Sequence, residues 1–178
     1  MNQLKWTCHT FEHLSKEDLY LILMERVNVF VVEQTCPYPE IDHRDQEALH
    51  VIAKENGTIV AYCRIFQSGI MYKEASIGRV LVTKTGRKKG YGKILLDQAI
   101  KKLSELGETK IKIQAQAYLK SFYESFGFEA VSDCYDENRK IGVYTSISAC
   151  RETLAFFVSP ALRCSRMSDS LRASARPS

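Results

Sequence analysis

The sequence predicts one mixed α/β domain, and three observations support that prediction. Segments with helical periodicity alternate with segments that have strand patterning up to about residue 137. The Asn56-Gly57 dipeptide lies between two apolar segments and is a strong short-range signal for a β-hairpin. Further on, a helical segment lies between two strand segments, which predicts a crossover connection. We expect the order helix, hairpin, strand, helix, strand, short helix and strand.

The first helix is predicted over residues 14–30, "LSKEDLYLILMERVNVF". Ser15 and Asp18 form a start that resembles a capping box, in which the side chain of the cap satisfies a free amide of the first turn. Apolar residues then follow the 3.6-residue period. Residues 31–48 contain two prolines and several acidic residues, so we expect a long loop with room for a short helix. Long ordered loops in compact domains are often functional.

The remaining elements follow in order. Residues 48–67 hold the two strands of the hairpin, and "ASIGRVLVT" is another strand. A helix follows from Gly90, with leucines and isoleucines on one face and Gly107 as its stop. "TKIKIQAQ" alternates as a strand does, "YLKSFYESFG" is a short helix, and "FEAVSDCY" is a further strand.

Composition excludes several classes of protein. The chain has 178 residues, of which 45% are apolar and 26% charged, as in an ordinary globular domain. No apolar run approaches the length that a membrane span needs, and the first residues do not resemble a secretory signal. The six cysteines are scattered, with no CxxC and no spacing suited to zinc. We therefore expect a cytoplasmic protein with reduced thiols, no metal and no membrane association.

Charge is unevenly distributed along the chain. Residues 1–138 carry 18 Lys and Arg against 19 Asp and Glu, a net charge of −1, whereas residues 139–178 carry 7 against 2, a net charge of +5. A nucleic-acid binder that uses a basic loop and the tail is one alternative, and it predicts strongly salt-dependent binding. The balanced body argues against it, so we expect no nucleic-acid partner.

The stretch "RKKGYGK", residues 87–93, places four cations and two glycines between a predicted strand and a predicted helix. The first amides of a helix have no partner within the helix, and the helix dipole adds positive potential there. Glycines let a large anion approach the backbone. The stretch therefore predicts a diphosphate site, although a surface turn with solvated lysines is the alternative. Neither GxxxxGK[ST] nor GxGxxG is present, which disfavours a P-loop or a Rossmann site.

The order strand, R-x-x-G-x-G, helix, strand and "FYESFGF" resembles the GCN5-related N-acetyltransferase (GNAT) superfamily. A closer likeness, over about residues 3–137, is to the ElaA-like branch. It rests on "RVNVFVVEQTCPYPEID", "AYCRI", "IGRVLV" and "QAQAYLKSFYESFGF". The resemblance implies the GNAT acyl-CoA N-acyltransferase fold, a central mixed and mostly antiparallel sheet flanked by helices, here with an atypical C-terminal tail.

The resemblance also implies acetyl-CoA as co-substrate, with no metal. Arg87, Gly90 and Gly92 match the loop that holds the pyrophosphate in this superfamily. Gln116 stands where many members have Asn, which preserves an amide there. The full set of predicted cofactor-binding residues is Val80, Leu81, Val82, Arg87, Lys88, Lys89, Gly90, Tyr91, Gly92, Lys93 and Gln116.

Two catalytic residues are predicted. By resemblance, Tyr123 protonates or hydrogen-bonds the leaving thiolate, and the alternative is a packed aromatic beside Phe122 and Phe126. Backbone N–H groups near Leu81 and Val82 are the expected donors to the acyl oxygen.

Glu33 is the first choice of general base among the acidic residues that follow the first helix, and a water chain is an alternative to any single base. The acidic residues there, Glu40, Asp42 and Asp45 among them, would also suit a cationic amine. Alternatively, Glu33 and Asp42 cap turns or pair with Arg26, Arg44 or Arg64. We expect His50 to be a satisfied strand histidine.

The predicted function is transfer of an acetyl group from acetyl-CoA directly to an amine, of a small molecule or of a protein. A homodimer is possible. Cys36, Cys63 and Cys134 lack a histidine partner in the sequence, which disfavours a cysteine hydrolase. A catalytically inactive acyl-CoA-binding protein, such as a decayed or frame-shifted copy, is the alternative.

The likeness stops after "CYDEN", and the composition turns to Ser and Arg. We therefore expect a GNAT domain over residues 1–138, with its final strand missing or altered, and a divergent, poorly ordered tail over residues 139–178. A reading-frame shift near residue 138 is our hypothesis for the tail, and a lineage-specific extension is the alternative. An absent last strand would leave an unpaired sheet edge.

Overall fold

The computed structural model describes residues 4–130 and the backbone of residues 140–146. These residues form one seven-stranded sheet in the order β1-β2-β3-β4-β5-β7-β6, in which the β4–β5 pair is parallel and the other pairs are antiparallel. The strands are β1 (Leu4–Thr10), β2 (Leu49–Glu55), β3 (Thr58–Phe66), β4 (Ala75–Val82), β5 (Lys110–Gln116), β6 (Glu129–Ala130) and β7 (Lys140–Ser146). The helices are α1 (Lys16–Arg26), α2 (Tyr91–Glu105) and α3 (Lys120–Glu124). The predicted mixed, mostly antiparallel sheet with helices is confirmed.

The two faces of the sheet carry different helices, because successive strand side chains point to opposite faces. Helix α2 packs on one face, where Leu95, Leu96 and Leu103 are fully buried against Cys63 and Ile65 of β3, among others. Helix α1 and the turn after it cover the other face. There Ile22 of α1 and Val29 of the turn pack with the strand residues Ile52, Ile59, Tyr62 and Leu81. The domain therefore has a core on each side of its central strands.

Local signals in the sequence specify the first helix and the hairpin. The hydroxyl oxygen of Ser15 accepts a hydrogen bond from the amide of Asp18 at 3.0 Å, which confirms the predicted cap. After Arg26 the helix continues as a π-helical turn, Val27–Glu33, a rare conformation that is frequent at functional sites. The hairpin turns at Asn56-Gly57, as predicted.

Strand β1 was not predicted, and the structure corrects that omission. It pairs with β2 over seven positions, from Leu4↔Glu55 to Thr10↔Leu49. Every residue of β1 is only partly buried or exposed, because the strand lies at the edge of the sheet. An edge strand with half-buried polar residues lacks the clean apolar alternation by which strands are recognised in a sequence.

Strand β7 lies where the final strand, expected to be missing or altered, would pair with β5. Its seven residues pair with β5 from Lys110↔Ser146 to Gln116↔Lys140, so this edge of β5 is paired. Residues 140–146 therefore belong to the sheet, although the predicted division places them in the tail. Of the strand predicted in "FEAVSDCY", Glu129–Ala130 is described as β6. Residues 131–139 and 147–178, with the rest of the predicted tail, lie outside the described residues.

Candidate active site

The parallel strands β4 and β5 separate soon after they begin. They pair at Ala75↔Ile111 and Ser76↔Lys112, yet β4 continues to Val82 and β5 to Gln116. The space between their diverging edges is part of a cavity of about 540 Å³, a volume typical of small-molecule sites. Strand edges that face such a gap offer backbone donors and acceptors to a bound molecule.

The cavity brings together predicted site residues from five separate segments of the chain. Its lining includes Glu33, Val80, Leu81, Val82, Arg87, Gly92, Gln116 and Tyr123. The other predicted cofactor-binding residues, Lys88, Lys89, Gly90, Tyr91 and Lys93, are not among its lining residues. Several further lining residues were not among the predicted site residues, and the polar ones are Gln34, Cys36, Tyr38, Arg79, Gln114 and Tyr118.

A β-bulge shapes the cavity wall formed by β4. The pairing of β3 with β4 shifts between Tyr62↔Leu81 and Arg64↔Gly78, so two residues of β4, Arg79 and Val80, lie opposite one residue of β3. Beyond the bulge, the amide of Thr83 donates to the carbonyl of Val60 at 3.0 Å. Counting back from Thr83, alternation turns the amide of Val82 away from β3 and that of Leu81 toward β3, whereas the bulge sets the direction of the Val80 amide.

The predicted diphosphate loop ends directly in a helix. Gly90 precedes α2 with a φ of +79°, a left-handed conformation that glycine adopts without strain. A Cβ atom added to Gly92 would lie 3.6 Å from Cγ2 of Val82, so this glycine lies close to the end of β4. The first amides of α2 have no acceptor within the helix, and they adjoin the cavity at Gly92.

The cations of this loop have different environments. Lys88 and Lys93 are exposed to solvent. The ammonium of Lys89 lies 2.7 Å from Glu55, whose other carboxylate oxygen accepts a hydrogen bond from the hydroxyl of Tyr91 at 3.0 Å. Among the described residues, Arg87 is therefore the cation of this loop that lines the cavity.

Arg87 and Glu33 form an ion pair across the mouth of the cavity. A guanidinium nitrogen of Arg87 lies 2.9 Å from the carboxylate of Glu33, and its Nε donates to the carbonyl of Val82 at 3.2 Å. The hydrogen bond from Arg87 lowers the pKa of Glu33, and the carboxylate raises the pKa of Arg87. Glu33 thus pairs with a cation of the loop after β4 instead of Arg26, Arg44 or Arg64.

Tyr123 lies on α3 with its side chain 3% exposed, in the wall of the cavity. Its ring makes edge contacts with Phe122 and Phe128, at centroid distances of 5.2 and 5.8 Å. Burial raises the pKa of Tyr123, so its hydroxyl stays protonated at neutral pH. The ring is thus a packed aromatic, as one interpretation of the sequence had it, and the residue also lines the cavity.

The acidic residues after α1 are mostly neutralised by arginines. Arg26 is fully buried and donates to Glu40 at 2.7 Å and to Asp45 at 2.6 Å. Arg64 donates to Asp45 at 2.9 Å and to both carboxylate oxygens of Asp42. Burial alone would raise the pKa of Asp42, but the neighbouring arginines lower it. The interpretation that Asp42 pairs with Arg64 is therefore confirmed, and the three carboxylates are poorly placed to serve as a free anionic surface.

His50 is a satisfied buried histidine, as expected. Its Nε2 lies 2.9 Å from the carbonyl oxygen of Asp45, and its Nδ1 lies 2.8 Å from the hydroxyl of Tyr62. A neutral ring with the proton on Nε2 fits both partners, because a carbonyl can only accept. Burial lowers the pKa of His50 below its ordinary value of 6.5.

Acid should destabilise the fold through His50. In the unfolded chain the ring takes up a proton near pH 6.5, whereas the buried ring resists protonation. The free energy of unfolding should therefore fall as pH drops below 6.5, by at most about 1.4 kcal/mol per pH unit from this group. Urea titrations between pH 7.5 and pH 5 (about three points) measure the slope. His50→Gln should flatten the slope and the exposed-site control His13→Gln should keep it; equal slopes in all three proteins would contradict this assignment.

The described residues contain neither a metal-binding cluster nor a helix suited to a membrane. No cluster of three or more His, Cys, Asp or Glu side chains suited to a metal ion occurs in that part of the chain. Among the helices described, none has the length and apolarity that crossing a bilayer requires.

Comparison with known proteins identifies relatives over most of the chain. The acetyltransferase (GNAT) domain family matches residues 12–144. Protein ElaA of Escherichia coli is 36% identical over 138 residues, which covers 76% of this chain and 90% of ElaA. A UPF0039 protein of Schizosaccharomyces pombe is 38% identical over 141 residues, covering 78% and 93% of the two chains.

Solved structures agree with these sequence relatives. The crystal structure of Escherichia coli ElaA superposes with a TM-score of 0.75 at 34% identity, covering 80% of this chain and 99% of ElaA. An acyl-CoA N-acyltransferase from Pseudomonas aeruginosa gives a TM-score of 0.75 at 35% identity, with the same coverage of 80% and 99%.

Proposed function

This chain belongs to the GNAT family of acetyltransferases, in its ElaA-like branch, and on that premise we propose that it transfers an acetyl group from acetyl-CoA directly to an amine. The acceptor is the amine of a small molecule or of a protein. We place the reaction in the cytoplasm, a proposal that the free thiols of Cys8, Cys36 and Cys63 support.

The cavity between β4 and β5 fits an elongated anionic co-substrate. One end is formed by Arg87 and the first amides of α2 at Gly92, which suit a diphosphate. From there the free edge of β4 extends past Val82, whose amide faces away from β3, to Val80 in the bulge, and this edge suits the amide groups of an extended arm. Gln116 on β5 lies across the gap from this edge and adds a side-chain amide.

Acetyl-CoA supplies an activated acyl group, and the residues of this chain supply position and charge. The amide of Val80, nearest the reacting end, would donate to the negative charge that develops on the acyl oxygen, whereas that of Val82 would pair with the extended arm. The protonated hydroxyl of Tyr123 is placed to donate to the leaving thiolate. Glu33, which is held at Arg87 by its ion pair, is our candidate for accepting the proton of the amine through water, from the wall formed by the π-helical turn.

The observation that carries the proposal is that Arg87, the free edge of β4 and Tyr123 line one cavity. The test is release of the CoA thiol from acetyl-CoA by the full chain in the presence of a fixed panel of amines: spermidine, lysine, an aminoglycoside and a peptide with a free α-amine. We expect at least one amine to raise the rate well above that without amine, with the acetylated amine as product. A folded chain that binds acetyl-CoA and acetylates no amine would contradict the proposal and favour the inactive binder.

Glu33→Gln should lower the amine-dependent rate about 100-fold or more, within the range that a general base contributes. Because Arg87 lowers the pKa of Glu33, the carboxylate remains ionised over the ordinary assay range, so the loss should persist from pH 6 to pH 9 (about the usual limits of such profiles). The measurement is the initial rate of thiol release over that range. Glu105→Gln, on α2 and outside the cavity, serves as the matched control; an equally small effect of both variants would favour a water chain as base.

A further inference from the structure

We infer that Arg79 is a positioning residue for the proposed transfer: its side chain holds the segment of residues 36–42, called here the wall loop, against β4 at the site of reaction. The inference rests on the proposed function. Arg79 lies within the stretch "IGRVLV" but was not among the predicted site residues, and it lines the cavity together with Cys36 and Tyr38 of the wall loop.

The position of Arg79 along β4 puts it near the end of the cavity where the reaction would occur. The diphosphate end is at Arg87 and Gly92, beyond the C-terminal end of β4. Arg79 lies three residues before Val82, which corresponds to about 10 Å of extended strand. A molecule anchored by its diphosphate and lying along this edge therefore brings its acyl end toward Val80 and Arg79. The wall loop faces that end of the cavity, where an acceptor amine has to arrive.

The backbone of Arg79 is held in a conformation that the residue would not adopt by preference. Its φ is +54°, which is uncommon for any residue other than glycine and unusual inside a strand. This conformation costs free energy, of the order of 1–3 kcal/mol, and persists only where the surroundings enforce it. It forms the bulge opposite Cys63, which sets the direction of the next amide, that of Val80.

The side chain of Arg79 shows what enforces that conformation. Its Nε donates to Glu40 at 2.7 Å, and its Nη2 lies 3.3 Å from Asp42. The guanidinium also lies over the ring of Tyr38, 5.5 Å from the ring centroid. The hydroxyl of Tyr38 donates to the other carboxylate oxygen of Glu40. One side chain of β4 thus makes three separate contacts with the wall loop.

The wall loop is in turn fixed to the interior of the domain. Glu40 accepts from Arg26, which is fully buried, and Asp42 accepts from Arg64, which is 2% exposed. Arg79 is partly exposed at the cavity and joins this buried network to the bulge. The three arginines and three carboxylates of the network balance in charge, so Arg79 contributes alignment and not a free positive charge.

The contacts of Arg79 hold two walls of the reacting end of the cavity in fixed positions relative to each other. One wall is the amide of Val80, and the other is Cys36 and Tyr38 on the wall loop. Displacement of a reactant by about 1 Å can cost up to about 100-fold in rate, because transfer needs the two reactants at near-attack distance. Loss of the Arg79 contacts should therefore impair use of the amine more than binding of acetyl-CoA.

The test separates the backbone of Arg79 from its side chain. Arg79→Gly keeps the left-handed backbone without strain and removes the contacts to the wall loop. Arg79→Lys keeps the charge and loses the planar fork that reaches two carboxylates. Arg44→Ala is the matched control, because Arg44 is an exposed arginine next to the wall loop whose guanidinium contacts Met71 outside the cavity. Each full-length variant is assayed with the amine of the panel that gives the highest wild-type rate.

We expect Arg79→Gly to lower kcat/KM for the amine about tenfold or more, with the Kd of acetyl-CoA within about twofold of the wild-type value. Arg79→Lys should recover part of the loss, and Arg44→Ala should match the wild type. Amide hydrogen exchange provides a readout that needs no turnover: residues 36–42 should exchange faster in Arg79→Gly, with no change in β2.

The outcomes distinguish this inference from the function on which it rests. An active wild type with an equally active Arg79→Gly variant would overturn the inference and leave the function intact. Equal losses of acetyl-CoA binding and amine use would also overturn it, because they indicate a general structural role. A wild-type chain that acetylates no amine would overturn the proposed function and the inference together.

Discussion

Tyr123→Phe is expected to lower kcat about 100- to 1,000-fold, the range of a general acid or base in the transition state, while acetyl-CoA binds as before. The phenylalanine keeps the ring contacts with Phe122 and Phe128 and removes the single proton donor of that side chain. The rate of thiol release at saturating acetyl-CoA and amine measures the effect. Because the pKa of Tyr123 is raised, the wild-type rate should not fall through loss of this proton below about pH 9.

Tyr20→Phe is the matched control for this substitution, since Tyr20 is 71% exposed on α1 and lies outside the cavity. It should leave both kcat and KM at their wild-type values. Thermal unfolding of Tyr123→Phe should differ little from that of the wild type, because the ring and its packing remain. A Tyr123→Phe protein with wild-type kcat would show that the thiolate leaves without this donor, and Tyr123 would then be a packing residue only.

Gly92→Asp is expected to weaken acetyl-CoA binding about 10- to 100-fold, because charged hydrogen-bonding groups at such sites are each worth about 1.5–3 kcal/mol. The new carboxylate would stand at the first turn of α2 beside Val82, where the diphosphate is proposed to bind. It would both repel that anion and compete for the free amides of the helix. Calorimetric titration of acetyl-CoA into the full chain measures the change.

Gly92→Ala serves as the control for side-chain volume. Its Cβ would meet Val82 at 3.6 Å and Phe122 at 3.9 Å, which are ordinary van der Waals contacts. We therefore expect a much smaller loss of affinity from alanine than from aspartate. Equal affinities for acetyl-CoA in the wild type and in Gly92→Asp would place the diphosphate elsewhere and contradict the assignment of this loop.

The elements with strong local signals could be predicted from the sequence. The cap at Ser15, the hairpin at Asn56-Gly57 and the apolar face of α2 are each determined by residues close to one another in the chain. Strand β1 was missed because it is an edge strand without a fully buried face. Strand β7 was missed because its residues adjoin a Ser- and Arg-rich segment, and its place in the sheet depends on pairing with β5.

The site was predictable only where it follows a contiguous motif. Arg87, Gly92 and Tyr123 belong to such motifs and line the cavity together. The direction of a charged side chain depends on distant partners, so the sequence did not show that Lys89 pairs with Glu55. Arg79 shows the same limit, because its importance follows from a bulge and from a loop about forty residues away in the chain.

Amide hydrogen exchange of the full chain with and without saturating acetyl-CoA tests the central claim most directly. The claim is that the co-substrate lies between β4 and β5 with its diphosphate at the start of α2. Exchange should slow at residues 80–82, 87–92 and 114–116, and stay unchanged in β1 and the hairpin turn. The account would be contradicted if acetyl-CoA slowed exchange in other segments instead. It would also be contradicted if saturating acetyl-CoA slowed exchange in no segment of a folded chain.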